Sequence, residues 1–489
     1  MKRVAQGLCL LLGLACFGAL PVQAGDQDHR FPTPFKHVVV IFQENRTPDN
    51  LFQGLCQPPF GDRHSCSTTP TEHQYNVSTT GWLDRNSPTG VTDPEPVPLE
   101  NNYDLGHGHP AFLNMYDGGK MDGAGNIPCI PEPGPCPTTP QFKFVDNSTG
   151  ILDPYLELAT QYGWANYMFQ TNQGPSFPAH QFIFGGTSAP NAIDDAIGVF
   201  AAENMLGTTA NQNEAGCMAP KGTFTTLVTP SGENKIIYPC FEHLTMSDLL
   251  NSRGVSWKYY APGAGSIWTA PDAIQHICQP NAPTGGTCVG PDFAAHVDLK
   301  PANVLKDISA CNLAQVSWVI PIGQNSDHAG ILNDNGGPSW VASIVNAIGN
   351  DTTCEDGEGY WSNTAILITW DDWGGWYDHE RPPILDGVQG DYQYGFRVPL
   401  LVVSAFTPRH YINNERPHDF GSILRFIQGV FDVRKGSLGF ADARATGDLG
   451  GFFKFDRRPR HFGTITTQLD ANFFLNDTRK PEPPDNDDK

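Results

Sequence analysis

Five short apolar runs, rich in β-branched residues, constrain this chain more than anything else in it. They are His37–Phe42 (HVVVIF), Val255–Ala261, Val316–Pro321, Thr364–Thr369 (TAILIT) and Pro399–Phe406 (PLLVVSAF). Polar positions within them are few, as expected of strands buried on both faces of a mostly parallel sheet. Patterns at helical spacing lie between them, at Met246–Arg253, Pro338–Ile348 and Gly421–Phe431. Strands alternating with helices predict an α/β fold, a doubly wound, mostly parallel central sheet with helices on both faces. The 51 Gly and 42 Pro among 489 residues predict long, numerous loops.

The ends of the chain read differently from its middle. Lys2 and Arg3, an apolar stretch from Cys9 to Leu20 and the small-residue site Val22-Gln23-Ala24 form the pattern of a signal peptide over residues 1–24. Residues 25–475 are expected to form a single domain. Within it, about 56–142 is a loop-rich insertion expected over a face of the sheet. The polar, Pro-rich 476–489 is expected to be a disordered tail. Past residue 24 no apolar run approaches the ~18–20 residues of a membrane span, so no transmembrane segment is expected in the mature chain.

Charge and cysteine usage narrow the class further. A formal net charge of −22 repels nucleic acid and makes it an improbable partner. Removing Cys9 and Cys16 with the leader leaves ten of the 12 cysteines, an even number with no Cys-x-x-Cys, as suits disulfides in an exported protein. Pairing in chain order, 56–66, 129–136, 217–240, 278–288 and 311–354, is the simplest of many connectivities.

In a sheet of this kind ligands sit beyond the carboxyl ends of the strands, so the residues that follow each strand are the ones to inspect. After HVVVIF comes Gln43-Glu44-Asn45-Arg46, a carboxylate beside a carboxamide. After TAILIT comes Trp370-Asp371-Asp372-Trp373-Gly374-Gly375-Trp376-Tyr377-Asp378-His379. Adjacent carboxylates at a strand end repel unless a cation or proton lies between them, which points to a hard divalent metal. Histidines occur in two such segments, His107 with His109, and His328; imidazoles there can bind a phosphoryl oxygen or protonate a leaving alcohol. Ser176, in Gly174-Pro175-Ser176, precedes a short helical pattern at His180–Phe184, and free N–H groups of a helix start suit a phosphate. There is no Gly-x-Ser-x-Gly turn, which weighs against a carboxylic-ester hydrolase.

Together these segments resemble the secreted bacterial phosphoesterase family that contains phosphatidylcholine-type phospholipases C and an acid phosphatase. The resemblance spans about His37 to Phe455 and rests on HVVVIFQENRTPDNLF, GGKMDG, GPSFPAHQ, TWDDWGGWYDHERPP, GFRVPLLVVSAF and GSILRFI in family order. It implies an alkaline-phosphatase-like fold. Glu44, Asn45, Asp371 and Asp372 would be metal ligands, and Ser176 both ligand and nucleophile. His107 and His328 would hold phosphoryl oxygens or protonate the leaving group, with Asp378 and His379 supporting the Asp pair.

Three departures from the family pattern stand out. Thr47-Pro48 replaces the usual residues after Glu-Asn-Arg, Ala179-His180-Gln181 follows the nucleophile as in the acid-phosphatase branch, and Asp419-Phe420-Gly421-Ser422 replaces Asp-His-Thr-Ser. The metal is left open among Ca, Mg, Mn, Fe and Zn, as is oligomeric state. Trp373, Trp376 and Tyr377 read as an aromatic wall for a choline ammonium or as core. The expected activity is hydrolysis of a phosphoester, either a phospholipid head group or a phosphomonoester, through a phosphoserine. The alternative is a secreted metal-binding protein of the same fold without catalysis. A sulfatase is disfavoured, because no Cys-x-Pro-x-Arg segment occurs.

Overall fold

In the computed structural model, residues 33–207, 214–331, 335–415 and 417–481 are described. The expected leader, 1–24, lies outside them, as does 482–489 of the expected tail. The central sheet has eight strands: β1 (His37–Gln43), β2 (Gly163–Ala165), β3 (Trp257–Tyr260), β4 (Val297–Asp298), β5 (Val316–Val319), β6 (Thr364–Trp370), β7 (Leu400–Val403) and β8 (Tyr411–Asn413). Their order is β4-β3-β5-β1-β6-β7-β2-β8.

All five predicted strands are present, and β3, β5, β1, β6 and β7 are neighbours at the centre. Strands β3, β5, β1 and β6 pair in parallel. Strand β7 is antiparallel to both β6 and β2 and is the one strand of this sheet that runs the other way. The residues that follow β7 therefore leave at the opposite end from those that follow β1 and β6.

Helices cover both faces. Neighbouring residues of a strand point to opposite faces, and β1 shows what each meets. The Phe42 ring lies 6.2 Å from Phe420 and 6.4 Å from the His180 ring, on the face covered by α2 (Ser176–Gly185) and α4 (Phe420–Val430). The Gln43 side chain donates to Gly337 O on the other face, where α3 (Gly336–Asn350) packs against α1 (Asp153–Gln161). Doubly wound, mostly parallel α/β architecture is thus what the sequence pattern encodes.

The 56–142 stretch builds short two-stranded ladders, including 103–105 with 129–131. Its Trp82, Leu105, Phe112 and Met121 share a second apolar core with Trp373, Trp376, Tyr377 and Phe396. This part sits over the loop after β6, at the carboxyl edge, while Tyr75, Val77 and Leu99 pack in the main core, with Tyr75 5.9 Å from Trp164 of β2. A three-stranded antiparallel sheet of 200–201, 225–229 and 232–237 forms a separate flap.

Five disulfides join 56–66, 129–136, 217–240, 278–288 and 311–354, pairing the cysteines in chain order. The first residues of the expected tail are tied to the domain, since Arg479 donates to Asn325 Oδ1 and Gln324 donates to Lys480 O. Among the described residues no helix is long and apolar enough to cross a membrane.

Candidate active site and metal-binding carboxylates

Three carboxylates converge where β1 and β6 end side by side. Glu44 follows β1, Asp371 and Asp372 follow β6, and all three are fully buried. The turn is closed by hydrogen bonds across the two strand ends. Asp371 N donates to Gln43 O at 3.0 Å, and Asn45 N donates to Asp371 Oδ1 at 3.1 Å. Asn45 holds a left-handed φ of 59°, which asparagine tolerates better than most residues. Gly374, at φ 62°, passes so close that an added Cβ would meet Asn45 O at 2.5 Å. Here glycine is required, and its N–H donates to Asp372 Oδ1 at 2.7 Å.

Ser176 reaches this cluster from the other direction. It is the first residue of α2, with Pro175 as N-cap, so the helix begins four residues earlier than the sequence pattern suggested. Its hydroxyl donates to Asp372 Oδ2 at 3.2 Å and lies 3.5 Å from Glu44 Oε2. Of the first-turn N–H groups, that of Phe177 is taken by Asn204 Oδ1 at 2.9 Å.

His180 was not singled out as a ligand from sequence. It sits one helical turn after Ser176, and that i, i+4 spacing on a helix is the signal that places both on one face. Its Nε2 lies 3.3 Å from Glu44 Oε1 and 3.8 Å from Asp371 Oδ2. Burial lowers its pKa to about 4, so the ring is a neutral donor of a nitrogen lone pair at pH 7. Glu44, His180 and Asp371 offer three ligand atoms within 4.8 Å of one another.

Unsatisfied oxygens favour a cation here. Asp371 Oδ2 and Asn45 Oδ1 are buried with no hydrogen-bond partner. Buried polar atoms are ordinarily satisfied, and buried carboxylates are paired or bind metal. The donor set, oxygens with one imidazole, fits a divalent ion and admits Fe or Zn as well as Ca, Mg or Mn.

Asn45 also links the cluster to the histidines. Its Nδ2 donates to His107 Nε2 at 3.1 Å and to His328 Nε2 at 3.0 Å. Each ring's Nδ1 faces a main-chain carbonyl, Leu105 O at 2.7 Å and Ala329 O at 2.6 Å. A carbonyl can only accept, so Nδ1 carries the proton and Nε2 is left as the basic nitrogen. The two rings are 6.1 Å apart by centroid, both buried. The His328 loop is held by Gln43, whose Oε1 accepts from Asp327 N, and by Arg46, whose Nε donates to Asp327 O. His109 turns away, with its Nε2 3.3 Å from Gln173 Oε1.

Asp378 and His379 belong to a neighbouring network. Arg397 binds both oxygens of Asp378 at 2.8 Å, and His379 Nδ1 lies 2.7 Å from Asp49 Oδ2. Asp49 in turn accepts from Ser78 N and lies 3.5 Å from Arg397. Their partners are thus Arg397, Asp49 and Asn76, where direct support of the Asp pair was expected. Arg397 and Asp49 went unnoticed in the sequence, because only the fold brings positions 49, 378 and 397 together. A guanidinium already supplies the cation there. Trp373, Trp376 and Tyr377 are core: Trp376 lies beneath Arg46 at 5.0 Å, and Tyr377 stacks on Trp82 at 4.7 Å.

Known proteins resemble the chain over most of its length. The model of the Phosphoesterase family matches residues 35–434. A protein named phospholipase C A, from Mycobacterium tuberculosis, is 23% identical over 472 residues, covering 87% of this chain and 78% of its own. A non-hemolytic phospholipase C from Pseudomonas aeruginosa is 24% identical over 271 residues, covering 49% of this chain and 38% of its own. Among solved structures, a protein in the alkaline phosphatase superfamily from Vibrio parahaemolyticus aligns with 76% of this chain and 72% of its own, at 10% identity and a TM-score of 0.33.

Proposed function

Since the chain belongs to the phosphoesterase family and is a phosphoester hydrolase, we propose that it works through a Ser176 phosphoenzyme beside a divalent metal, in an exported protein. The observation that carries this reading is the Ser176 hydroxyl lying between Glu44 and Asp372, with the Asn45 carboxamide joining that cluster to His107 and His328.

Glu44, Asn45, Asp371 and Asp372, with Ser176 and His180, are the residues that would hold the metal. When bound, it supplies positive charge that lowers the pKa of a hydroxyl and steadies a transferring phosphoryl group. The chain's own groups do the rest. Asp372, already accepting from Ser176, orients the hydroxyl and takes its proton as Oγ bonds to phosphorus. The bond from phosphorus to the leaving oxygen breaks, and that oxygen takes a proton. His107 and His328 present Nε2 beside this point; a ring protonated there gives its proton to the leaving alcohol. Water then attacks the phosphoserine, its proton passing to the same nitrogens; the bond from phosphorus to Oγ breaks, Oγ takes its proton back from Asp372, and phosphate or its monoester leaves.

The substrate is a phospholipid, as the names of the relatives suggest, or a phosphomonoester, as His180-Gln181 after the nucleophile suggests. Five disulfides favour an oxidising compartment and so support export. The test compares release of p-nitrophenol from p-nitrophenyl phosphate and from p-nitrophenyl phosphorylcholine by wild type and Ser176→Ala. Release by metal-replete wild type and loss in the variant is expected, and the preferred substrate names the branch. Release by neither protein would leave a metal-binding protein without catalysis.

A further inference from the structure

A cleft of about 370 Å³ lies beside the connection from β7 to β8, and its wall carries five cationic side chains and no carboxylate. They are Arg409, Lys454, Arg457, Arg458 and Arg460, in a chain whose net charge is −22. Four of them sit on one loop, 454–460, whose only acidic residue, Asp456, is outside the wall. The loop is hydrogen-bonded at both ends to that connection, Lys454 N donating to Phe406 O at 3.0 Å and Arg460 N to Ala405 O at 2.8 Å. Arg460 Nη1 donates to Gln161 O and Thr407 O, at 2.8 and 2.7 Å. The other four cations are exposed, and among the described residues none of the five pairs with a carboxylate.

Like charges gathered in this way repel one another. Burial holds the Arg460 pKa below its ordinary value, and the charge of Arg409 acts in the same direction. A multivalent anion relieves that repulsion, and guanidinium forks match phosphate oxygens two at a time. Repulsion from the rest of the chain is screened beyond a Debye length of about 8 Å, so a polymer in contact with the cleft meets mainly its cations.

The cleft lies far from Ser176. Strand β7 pairs with β6 so that Val403 faces Ile366 and Leu400 faces Thr369. The residues after Val403 therefore lie past the Thr364 end of β6, while Asp371 and Asp372 lie past its Trp370 end. The seven residues of β6 separate the two by about 20 Å. A ligand held in the cleft leaves the catalytic edge open.

The surroundings narrow the partner. None of the large apolar side chains exposed among the described residues belongs to the cleft, as entry into a lipid surface would require. Its one ring, Phe406, packs on Phe35 and Phe455 at 5.9 and 5.3 Å, where single-strand binding needs rings free to stack on bases. We propose that this cleft is a docking site for a linear polyanion bearing repeated phosphate groups, and that it tethers the protein with the Ser176 edge turned outward. The proposal does not depend on the phosphoenzyme reading.

The experiment measures binding of the metal-replete protein to biotinylated linear polyphosphate by biolayer interferometry over a salt series. Wild type is expected to bind, with affinity falling steeply as salt rises. Arg457→Ala with Arg458→Ala should weaken binding at least about tenfold. Arg409→Ala, on the connection and not on the loop, should act in the same direction. Lys300→Ala with Lys306→Ala removes two charges from exposed positions outside the cleft and should bind as wild type does. Melting followed by circular dichroism checks the fold of each variant. No binding by wild type, equal weakening by the two double variants, or full binding by both cleft variants overturns the proposal. Tighter binding to phosphatidylglycerol vesicles or to single-stranded DNA than to polyphosphate also overturns it, in favour of a lipid surface or a nucleic acid.

Discussion

The Ser176 hydroxyl donates to Asp372 Oδ2 at 3.2 Å, a contact made across 196 residues of sequence and sealed from solvent on both sides. A serine so placed has a carboxylate to orient its proton, and it shares the cluster with a second carboxylate, Glu44. Ground-state alignment of this kind removes much of the entropic cost of bringing nucleophile and base together.

His180 is expected to act as a ligand. Replacing it by alanine should weaken metal binding by about 10- to 100-fold, the range seen when a supporting partner of a site is removed. Calorimetric titration of the metal-stripped protein with Mg, Mn, Ca, Fe and Zn salts reads this directly. Affinity equal to wild type for every ion would place His180 outside the coordination sphere.

Asn45 is expected to matter through the histidines as well as the metal. Asn45→Asp keeps an oxygen donor but removes the amide that donates to His107 and His328. The variant should bind metal at least as tightly while kcat falls by about 100-fold, the lower end of what positioned acid–base groups contribute. His107→Gln and His328→Gln should each lower kcat more than they change KM, measured by steady-state kinetics. An unchanged kcat in both would remove the histidines from proton transfer.

Away from the site, His276 ties Glu242 and Asp248 together at 2.8 and 3.0 Å. Its hydrogen bond to Asp248 leads the effects that raise its pKa to about 9 from the ordinary 6.5. A raised histidine stabilises the folded state fully below its unfolded value and loses that contribution as pH rises through the folded one. The window is therefore 6.5 to about 9. The ring is about a third exposed, so screening holds the effect to ~1 kcal/mol or less. His276→Gln should flatten the fall in Tm between pH 6 and pH 9.5, followed by circular dichroism; a slope identical to wild type would dissociate the triad from stability.

The 311–354 disulfide closes the longest loop of the five, 43 residues. Loop-closure entropy assigns it about 4 kcal/mol. Cys311→Ser with Cys354→Ser should lower the unfolding free energy by that much, and the urea midpoint with it, while the preference between p-nitrophenyl substrates persists, because the pair lies away from the carboxylates. An unchanged midpoint would contradict it.

How much of this was legible in the sequence depends on what each residue needs for its placement. HVVVIF and TAILIT announce buried strands on their own, and polar residues after parallel strands must gather at one sheet edge, so Glu44, Asn45, Asp371 and Asp372 could be found together. The direction of β7 could not, since a wholly apolar run reads the same either way. Strands β2 and β4, of three and two residues, are too short to show a period. His180 needed the register of a helix whose start was misplaced by four residues. The family resemblance implied that Asp378 and His379 support the adjacent Asp pair, yet Arg397, brought in beside β7, binds Asp378, while Asp49 and Asn76 hold His379. The insertion's place over the carboxyl edge needed Trp373 and Trp376 as its core, and those rings read equally well as a ligand wall.

The central claim is that the phosphoryl group passes through Ser176. It is tested most directly by mixing metal-replete enzyme with a phosphate-labelled ester, quenching in acid within the first turnover, and locating the label by peptide mass spectrometry. The account predicts phosphate on the peptide containing Ser176, lost with the kinetics of turnover, with no label and no turnover in Ser176→Ala. Full turnover by Ser176→Ala, or label on another residue of an active wild type, would contradict it.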